Sequence, residues 1–156
     1  MLQNGEVLPE LEVPAVGGGR LLLPAALAGS WGVVLLYRGS WCPYCNAQLG
    51  RFARASKTFA ELDIKVAALS VDDEETSAAL AEKRRLEFPV GHSADAAKVS
   101  ALVGAYTNDD PPYLQPTGFV LTPEGAVVTA VYSSGAIGRL VADDVAGLVR
   151  HIQAQS

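Results

Sequence analysis

The pattern of apolar and polar positions predicts alternating strands and helices along most of the chain. Residues 33–37 and 64–71 form nearly unbroken apolar runs, which are typical of parallel strands buried on both faces. Apolar side chains recur at three- and four-residue spacing over residues 45–60 and again over 140–152. That spacing predicts two amphipathic helices, the first of about 17 residues.

Turn and capping signals place the remaining elements. Acidic residues beginning at Asp72 predict the start of a helix that ends near Leu86, and Asp95 predicts the cap of a helix that Gly104 ends. The polar stretch 106–115 is expected to be a surface loop. Extended segments are predicted at residues 8–14, 20–23, 88–90, 119–122 and 126–132.

This order of elements predicts an α/β sandwich. Parallel strands joined by helices and closed by an antiparallel hairpin give three α/β/α layers around a mixed central sheet. We expect one domain over residues 1–156, with residues 1–23 as an N-terminal extension whose glycines 17–19 make a hairpin turn.

Composition and charge narrow the classes of partner. The chain of 156 residues is 49% hydrophobic and 19% charged, with a formal net charge of −5. No basic stripe is visible, so neither nucleic acid nor an anionic membrane is an expected partner. The first residues lack the features of a signal peptide, and no apolar run approaches the roughly 20 residues that span a bilayer. A cytoplasmic location is therefore expected.

Both cysteines lie in the segment Trp41-Cys42-Pro43-Tyr44-Cys45, between the first long strand and the first long helix. Pro43 suits the first turn of a helix, where its missing N–H needs no partner. The free amides and dipole of a helix N-terminus favour a thiolate, so we expect Cys42 to be the more acidic and more exposed thiol. Cys45 lies within reach of a mixed disulfide at Cys42, which predicts a reversible dithiol–disulfide couple.

Other uses of two cysteines are less well supported. A structural zinc site needs about four ligands, and His92 and His151 are distant in sequence with no paired spacing, so no metal or other cofactor is expected. A purely structural disulfide would close a very small loop and constrain little of the unfolded chain. Because cytoplasmic cysteine pairs are kept reduced, a catalytic role is favoured.

The wider sequence around this motif resembles a known family. A strand, Trp-Cys-x-x-Cys at a helix start and a proline before the terminal hairpin resemble the thioredoxin fold. Within it the chain resembles the peroxiredoxin-like branch, the alkyl hydroperoxide reductase and thiol-specific antioxidant group. The resemblance implies a thioredoxin-like three-layer sandwich over nearly the whole chain. It is carried by residues 36–45, 68–72, 88–90 and 117–125.

The thioredoxin resemblance implies roles for individual residues. Cys42 resembles the attacking thiol of thioredoxins and Cys45 the resolving one. Pro116 resembles the cis-proline that packs against the dithiol, and Gln115 would then offer backbone groups to an extended substrate. The side chains expected to shape the substrate rim around the sulfurs are those of Trp41, Pro43 and Tyr44.

The chain also departs from both patterns. In peroxiredoxins the peroxide-attacking cysteine aligns with Cys45, preceded by a proline and a threonine or serine where this chain has Arg38 and Cys42. The arginine that peroxiredoxins bring from the hairpin region has no evident match. The buried acid of thioredoxins is replaced by Leu36. Arg38 is expected either to stabilise the thiolate or to lie exposed at the strand end.

Three functions remain open from the sequence. The first is a thiol–disulfide oxidoreductase in redox homeostasis, with Cys42 attacking and Cys45 resolving. The alternative is a peroxiredoxin-type peroxidase in which either cysteine meets the peroxide. The third is a redox-sensing module without turnover. Expected partners are a disulfide-containing protein or a small thiol or peroxide as substrate and thioredoxin or glutathione as reductant. The family resemblance also implies a second copy of the chain in a homodimer.

Overall fold

A five-stranded mixed sheet forms the centre of the protein, whose computed structural model describes all residues, Met1–Ser156. The strands of the chain are β1 Leu11–Pro14, β2 Arg20–Leu23, β3 Trp31–Leu36, β4 Ile64–Leu69, β5 Val90–Gly91, β6 Thr107–Asp109, β7 Pro112–Leu114, β8 Thr117–Leu121 and β9 Val127–Tyr132. The central sheet has the order β5-β4-β3-β8-β9, and the other strands make two separate hairpins, β1–β2 and β6–β7.

Strand β3 is the central strand and leads directly into the cysteine motif. It pairs in parallel with β4 and antiparallel with β8, so that Val34 lies opposite Ala67 on one side and Phe119 on the other. Strand β5 continues the parallel side and β9 the antiparallel side. All of β3 except its first residue is buried, as the unbroken apolar run predicts.

Five α-helices flank the sheet. They are α1 Pro43–Arg54, α2 Ser56–Glu61, α3 Glu74–Lys83, α4 Ala96–Val103 and α5 Ala142–Ala154, and one 3₁₀ turn spans Ala25–Leu27. The expected single helix over residues 45–60 is wrong, because the chain breaks at Ala55 into α1 and α2. The break brings the rings of Phe52 and Phe59 to 5.7 Å in an edge-to-face contact. Seven residues of straight helix would separate them by about 10 Å along the axis.

The predicted caps and turns are confirmed, and one predicted loop is wrong. Asp73 caps α3 by accepting a hydrogen bond from Thr76 N at 2.8 Å, and Gly104 ends α4 in the left-handed conformation. The glycines between β1 and β2 make the predicted turn. The stretch 106–115 contains the β6–β7 hairpin, whose strands of three residues are too short to show an alternating pattern.

The core lies on both faces of the sheet, which confirms the predicted α/β/α sandwich. One cluster of 19 buried residues joins the β1–β2 hairpin and α4 to the sheet, and it includes Leu11, Leu23 and Val99. The other, of 18, joins α1, α3 and α5 to the opposite face and contains both cysteines. The redox motif is therefore part of a packed layer. None of the helices is long and apolar enough to cross a membrane.

Candidate active site

Cys42 and Cys45 lie at the N-terminus of α1, which follows β3 in the chain. Cys42 is the N-cap, and its Sγ accepts a hydrogen bond from Cys45 N at 3.3 Å, while Pro43 occupies the first turn. Both thiols are free. They are 1% and 0% exposed, so both thiols are buried and the expected difference in exposure is only slight. Two guanidinium groups lie beside the sulfurs.

The first guanidinium belongs to Arg139, in the loop between β9 and α5. Its Nη2 lies 3.1 Å from Cys45 Sγ and 3.6 Å from Cys42 Sγ, so one nitrogen serves both sulfurs. Nη1 donates to Gln48 Oε1 on α1 at 3.0 Å, and Nε donates to Ala136 O within its own loop at 2.8 Å. Every nitrogen of Arg139 therefore has a fixed partner.

The second guanidinium belongs to Arg38, directly after β3. Its Nη1 lies 3.9 Å from Cys42 Sγ, and its Nη2 donates to the hydroxyl of Tyr113 on β7 at 3.0 Å. The group also stacks near the rings of Trp41, at 4.8 Å, and Tyr113, at 5.2 Å. The amide of Arg38 donates to Cys45 Sγ at 3.4 Å. Of the two expectations for Arg38, the contact with the thiols is the one found.

These contacts shift the pKa values of the two thiols in opposite directions. Burial raises the pKa of Cys42, but hydrogen bonds from Cys45 and Arg38 and the charge of Arg139 outweigh it, so that the pKa is lowered. Burial raises the pKa of Cys45, and the hydrogen bond that its thiol gives to Cys42 raises it further against the opposing arginines. The thiolate is therefore favoured at Cys42 and the proton at Cys45, as the helix position predicts.

The segment between β3 and α1 is hydrogen-bonded to the residue Asp72, which follows the parallel strand β4. Asp72, just beyond β4, accepts a hydrogen bond from Ser40 N at 2.8 Å, and Asn46 Nδ2 donates to Ser40 O at 2.9 Å. Burial raises the pKa of Asp72, although the Ser40 amide opposes this. These bonds fix the path of the chain just before Cys42.

The side chains predicted to form the substrate rim, those of Trp41, Pro43 and Tyr44, are exposed at the protein surface. Trp41 and Tyr44 are 54% and 56% exposed, and Pro43 is also exposed. The ring of Trp41 meets that of Tyr113 edge to face at 5.1 Å. The aromatic side chains therefore lie beside the buried sulfurs, with the Trp41 ring also against Arg38.

Gln115 and Pro116 do not take the expected form. The cis peptide bonds of the chain precede Pro24 and Pro111, so the expectation of a cis bond at Pro116 is wrong. Pro116 instead leads straight into β8, and its carbonyl accepts from Ser133 N at 3.0 Å. The amide of Gln115 donates to Tyr106 O at 2.8 Å. That amide is thus used within the chain, and neither residue gives the sulfurs a hydrogen bond.

Sequence reasoning missed Arg139, Tyr113 and Gln48. Arg139 and Tyr113 reach the site through packing of elements that are distant in sequence, whereas Gln48 lies three residues after Cys45 on α1. One signal was available for Arg139, which is the only Lys or Arg between Lys98 and Arg150. The expectation that no arginine comes from the hairpin region is wrong, since Arg139 arrives from just after the hairpin rather than before it.

Comparisons with known proteins agree with this architecture. A peroxiredoxin of Methanothermobacter marburgensis is 28% identical over 156 residues, covering 96% of this chain and 71% of that protein. The peroxidoxin BcpB of Mycobacterium tuberculosis superposes with a TM-score of 0.83 at 23% identity, over 97% of this chain and 99% of that one. A yeast mitochondrial 1-Cys peroxiredoxin superposes with a TM-score of 0.79 at 18% identity, over 99% and 78%.

The family itself is shown by a family model. The AhpC/TSA family model matches residues 4–130, which include both cysteines, Arg38 and Tyr113. The chain therefore belongs to the AhpC/TSA family and is an oxidoreductase that acts on disulfides or peroxides through cysteine.

Proposed function

We propose that this protein is a thiol-dependent peroxidase of the peroxiredoxin type, in which Cys42 and Cys45 close a disulfide in each turnover. The observation that carries the proposal is the pair of guanidinium groups on the two sulfurs, from Arg139 and Arg38. Cleavage of an O–O bond leaves negative charge on the departing oxygen, and fixed donors beside the attacking sulfur stabilise that charge.

Burial of the sulfurs supports a small substrate. A peroxide group can enter beside a sulfur that is 1% exposed, whereas a protein disulfide must bring its own backbone against it. The peroxiredoxin relatives point the same way. General thiol–disulfide exchange, which the motif alone favours, is the second candidate function. It needs no second guanidinium at the dithiol.

The first step oxidises Cys42. Its thiolate attacks the terminal oxygen of the peroxide, an S–O bond forms as the O–O bond breaks, and sulfur gives two electrons to the peroxide. The departing oxygen takes the proton of Cys45 and leaves as alcohol or water. Cys42 is now a sulfenic acid, and Cys45 is a thiolate whose nearest cation is Arg139 at 3.1 Å.

The second step closes the disulfide. The Cys45 thiolate attacks the Cys42 sulfur, the S–O bond breaks, and hydroxide leaves and is protonated to water. An external dithiol or two thiol molecules then reduce the disulfide. Thioredoxin or glutathione is the proposed reductant, supported by the yeast mitochondrial relative, whose thiol is described as resolved via the glutathione and thioredoxin systems. A homodimer stays a prediction from the family resemblance.

Stopped-flow oxidation by hydrogen peroxide tests the proposal. The reduced wild type, Cys42→Ser and Cys45→Ser are compared through the fluorescence of Trp41, with Trp31 as the only other tryptophan. We expect fast oxidation in the wild type and none in Cys42→Ser. In Cys45→Ser we expect slower oxidation that stops at a sulfenic acid, because a hydroxyl is a weaker acid than the thiol that protonates the departing oxygen.

Two other results would change the conclusion. Fast oxidation that survives Cys42→Ser and vanishes in Cys45→Ser keeps the peroxidase but moves the attack to Cys45, the position that resembles peroxiredoxins. Slow oxidation of the wild type, together with rapid disulfide exchange that depends on Cys42, rejects the peroxidase in favour of a disulfide oxidoreductase.

A further inference from the structure

A basic cavity extends along α1 to the C-terminal ends of α1 and α3, and neither cysteine lines it. Its volume is about 580 Å³, and its lining includes Glu87 as the only acid. The cations of this basic cavity are Arg51, Arg54, Lys83, Arg84 and Arg85. The chain has 12 Lys and Arg residues and a net charge of −5, so nearly half of its cations line one cavity of an acidic protein.

The cations of the basic cavity have no anionic partners within the chain. The two ion pairs of the protein join Arg20 to Glu12 and His92 to Glu74, and neither involves the cavity. In addition, Arg84 Nε is buried without a hydrogen-bond partner. Five neighbouring positive charges repel one another, and Glu87 is the single acidic residue in the same lining.

Helix dipoles explain only part of this arrangement. Arg51 and Arg54 lie in the last turn of α1 and Lys83 in that of α3, where cations are favoured by the negative end of each helix. That effect places cations on each helix separately. It does not explain why the two sets face the same cavity, where an anion between them would relieve the repulsion.

We propose that the basic cavity binds a small ligand bearing two or more linked phosphate groups. Four guanidinium groups and one ammonium match the three or four negative charges and many acceptor oxygens of such a chain, which a dicarboxylate lacks. The cavity has the size of a small-molecule site. An extended polyanion would be repelled by the acidic remainder of the protein.

This site is independent of the proposed peroxidase activity. Its cations are contributed by segments 51–54 and 83–85, which are separated in sequence, so no basic stripe is visible in the chain. The test therefore measures binding rather than turnover, and an inactive but folded enzyme would still report on it.

Calorimetric titration of the full chain with sodium tripolyphosphate is the direct test. At a fixed ionic strength near 0.15 M we expect one saturable site per chain. Arg54→Ala and Arg84→Ala should each weaken binding by at least about 10-fold, because each removes a charge-assisted hydrogen-bond donor. Arg51→Ala/Arg54→Ala should abolish it. Arg51 and Arg54 are exposed, so these variants should fold, which circular dichroism checks.

Matched controls separate a site from general charge attraction. Lys98→Ala and Arg150→Ala remove cations that lie elsewhere and should leave the affinity unchanged. Absence of saturable binding, or equal weakening in the controls, overturns the proposal. Citrate binding as tightly as tripolyphosphate overturns the phosphate assignment, and a short DNA duplex binding as tightly overturns the small-ligand assignment.

Discussion

At the scale of single residues, Arg139 is the side chain that joins the two sulfurs. Its Nη2 contacts both, while its other nitrogens are held by Gln48 and by the carbonyl of Ala136. A guanidinium fixed in this way needs no reorganisation when charge moves from one sulfur to the other. That property suits a reaction in which the thiolate passes from Cys42 to Cys45.

Replacing Arg139 should slow the reaction with peroxide and move its pH dependence. Arg139→Met removes a positive charge beside the thiolate, so the pKa of Cys42 should rise, and the rate at pH 7 should fall by about 10²-fold. Arg139→Lys keeps the positive charge but not the planar guanidinium with its several donors, so the rate should fall by about 10-fold. The rate and the thiolate absorbance near 240 nm are followed against pH.

The control for this experiment is Arg150→Met, because Arg150 is an exposed cation on α5. Its rate and its pH midpoint should match those of the wild type. If Arg139→Met were slower than the wild type but had the same pH midpoint, Arg139 would act on the peroxide without lowering the pKa of Cys42.

At the scale of elements, the β6–β7 hairpin supports the second guanidinium. Tyr113 on β7 accepts a hydrogen bond from Arg38 and packs against both Arg38 and Trp41. The hairpin therefore acts on Cys42 through Arg38. Tyr113 is a positioning residue, since no contact joins its hydroxyl to either sulfur.

Tyr113→Ala should loosen Arg38 and reduce the rate of oxidation by about 3- to 10-fold, with a rise in the pKa of Cys42, because Arg38 lowers that pKa. Tyr113→Phe keeps the aromatic ring beside the Arg38 guanidinium, so its oxidation rate should fall less than that of Tyr113→Ala. Tyr106→Ala, at an exposed residue just before β6, is the matched control. Equal effects of Tyr113→Ala and Tyr106→Ala on the pH profile would show a general loosening of the hairpin.

The loop that carries Arg139 packs against Gly118 of β8 through the neighbouring side chain of Leu140. A Cβ at Gly118 would lie 2.5 Å from Leu140 Cδ1 and 2.7 Å from its Cγ. Gly118→Ala should therefore displace Leu140 and its neighbour Arg139, costing about 1–3 kcal/mol of unfolding free energy and slowing oxidation. Gly147→Ala, in open space within α5, should instead stabilise the protein by up to about 1 kcal/mol. Urea unfolding and stopped flow measure both effects.

Local patterns predict the elements of this fold well and their interruptions poorly. The apolar run of β3, the cap at Asp73 and the stop at Gly104 all follow from chemistry within a few residues. The break at Ala55 lets Phe52 and Phe59 meet inside the core, a contact that no helical periodicity encodes. The β6–β7 hairpin was missed because three-residue strands carry no alternation.

At the scale of the whole molecule, the sequence predicts where the site lies but not what completes it. Cys42 and Cys45 are identified by their place between a buried strand and a helix. The partners Arg139 and Tyr113 come from segments that lie about 70 to 100 residues further along the chain. Only tertiary packing brings them together. The basic cavity shows the same principle, because only the fold brings Arg51 and Arg54 to the three consecutive cations at residues 83–85.

Oxidation should loosen the site without loosening the domain. A disulfide between Cys42 and Cys45 carries no charge, so Arg38 and Arg139 lose the anion that they stabilise in the reduced protein. The strands β3, β4 and β8 are buried between two apolar layers and do not depend on that charge. The segments 107–114 and 133–141, which hold the two guanidiniums in place, should therefore become more mobile.

Hydrogen–deuterium exchange of the reduced and the peroxide-oxidised protein measures this difference. We expect faster exchange after oxidation in residues 107–114, in residues 133–141 and in the first turn of α1, with no change in β3, β4 and β8. Cys42→Ser treated with peroxide in the same way is the control and should show no change. Faster exchange across the central strands would mean that the dithiol stabilises the whole domain. Unchanged exchange in both segments would mean that neither guanidinium depends on the thiolate for its position. The expected pattern would give a reductant access to a disulfide that is buried in the resting protein.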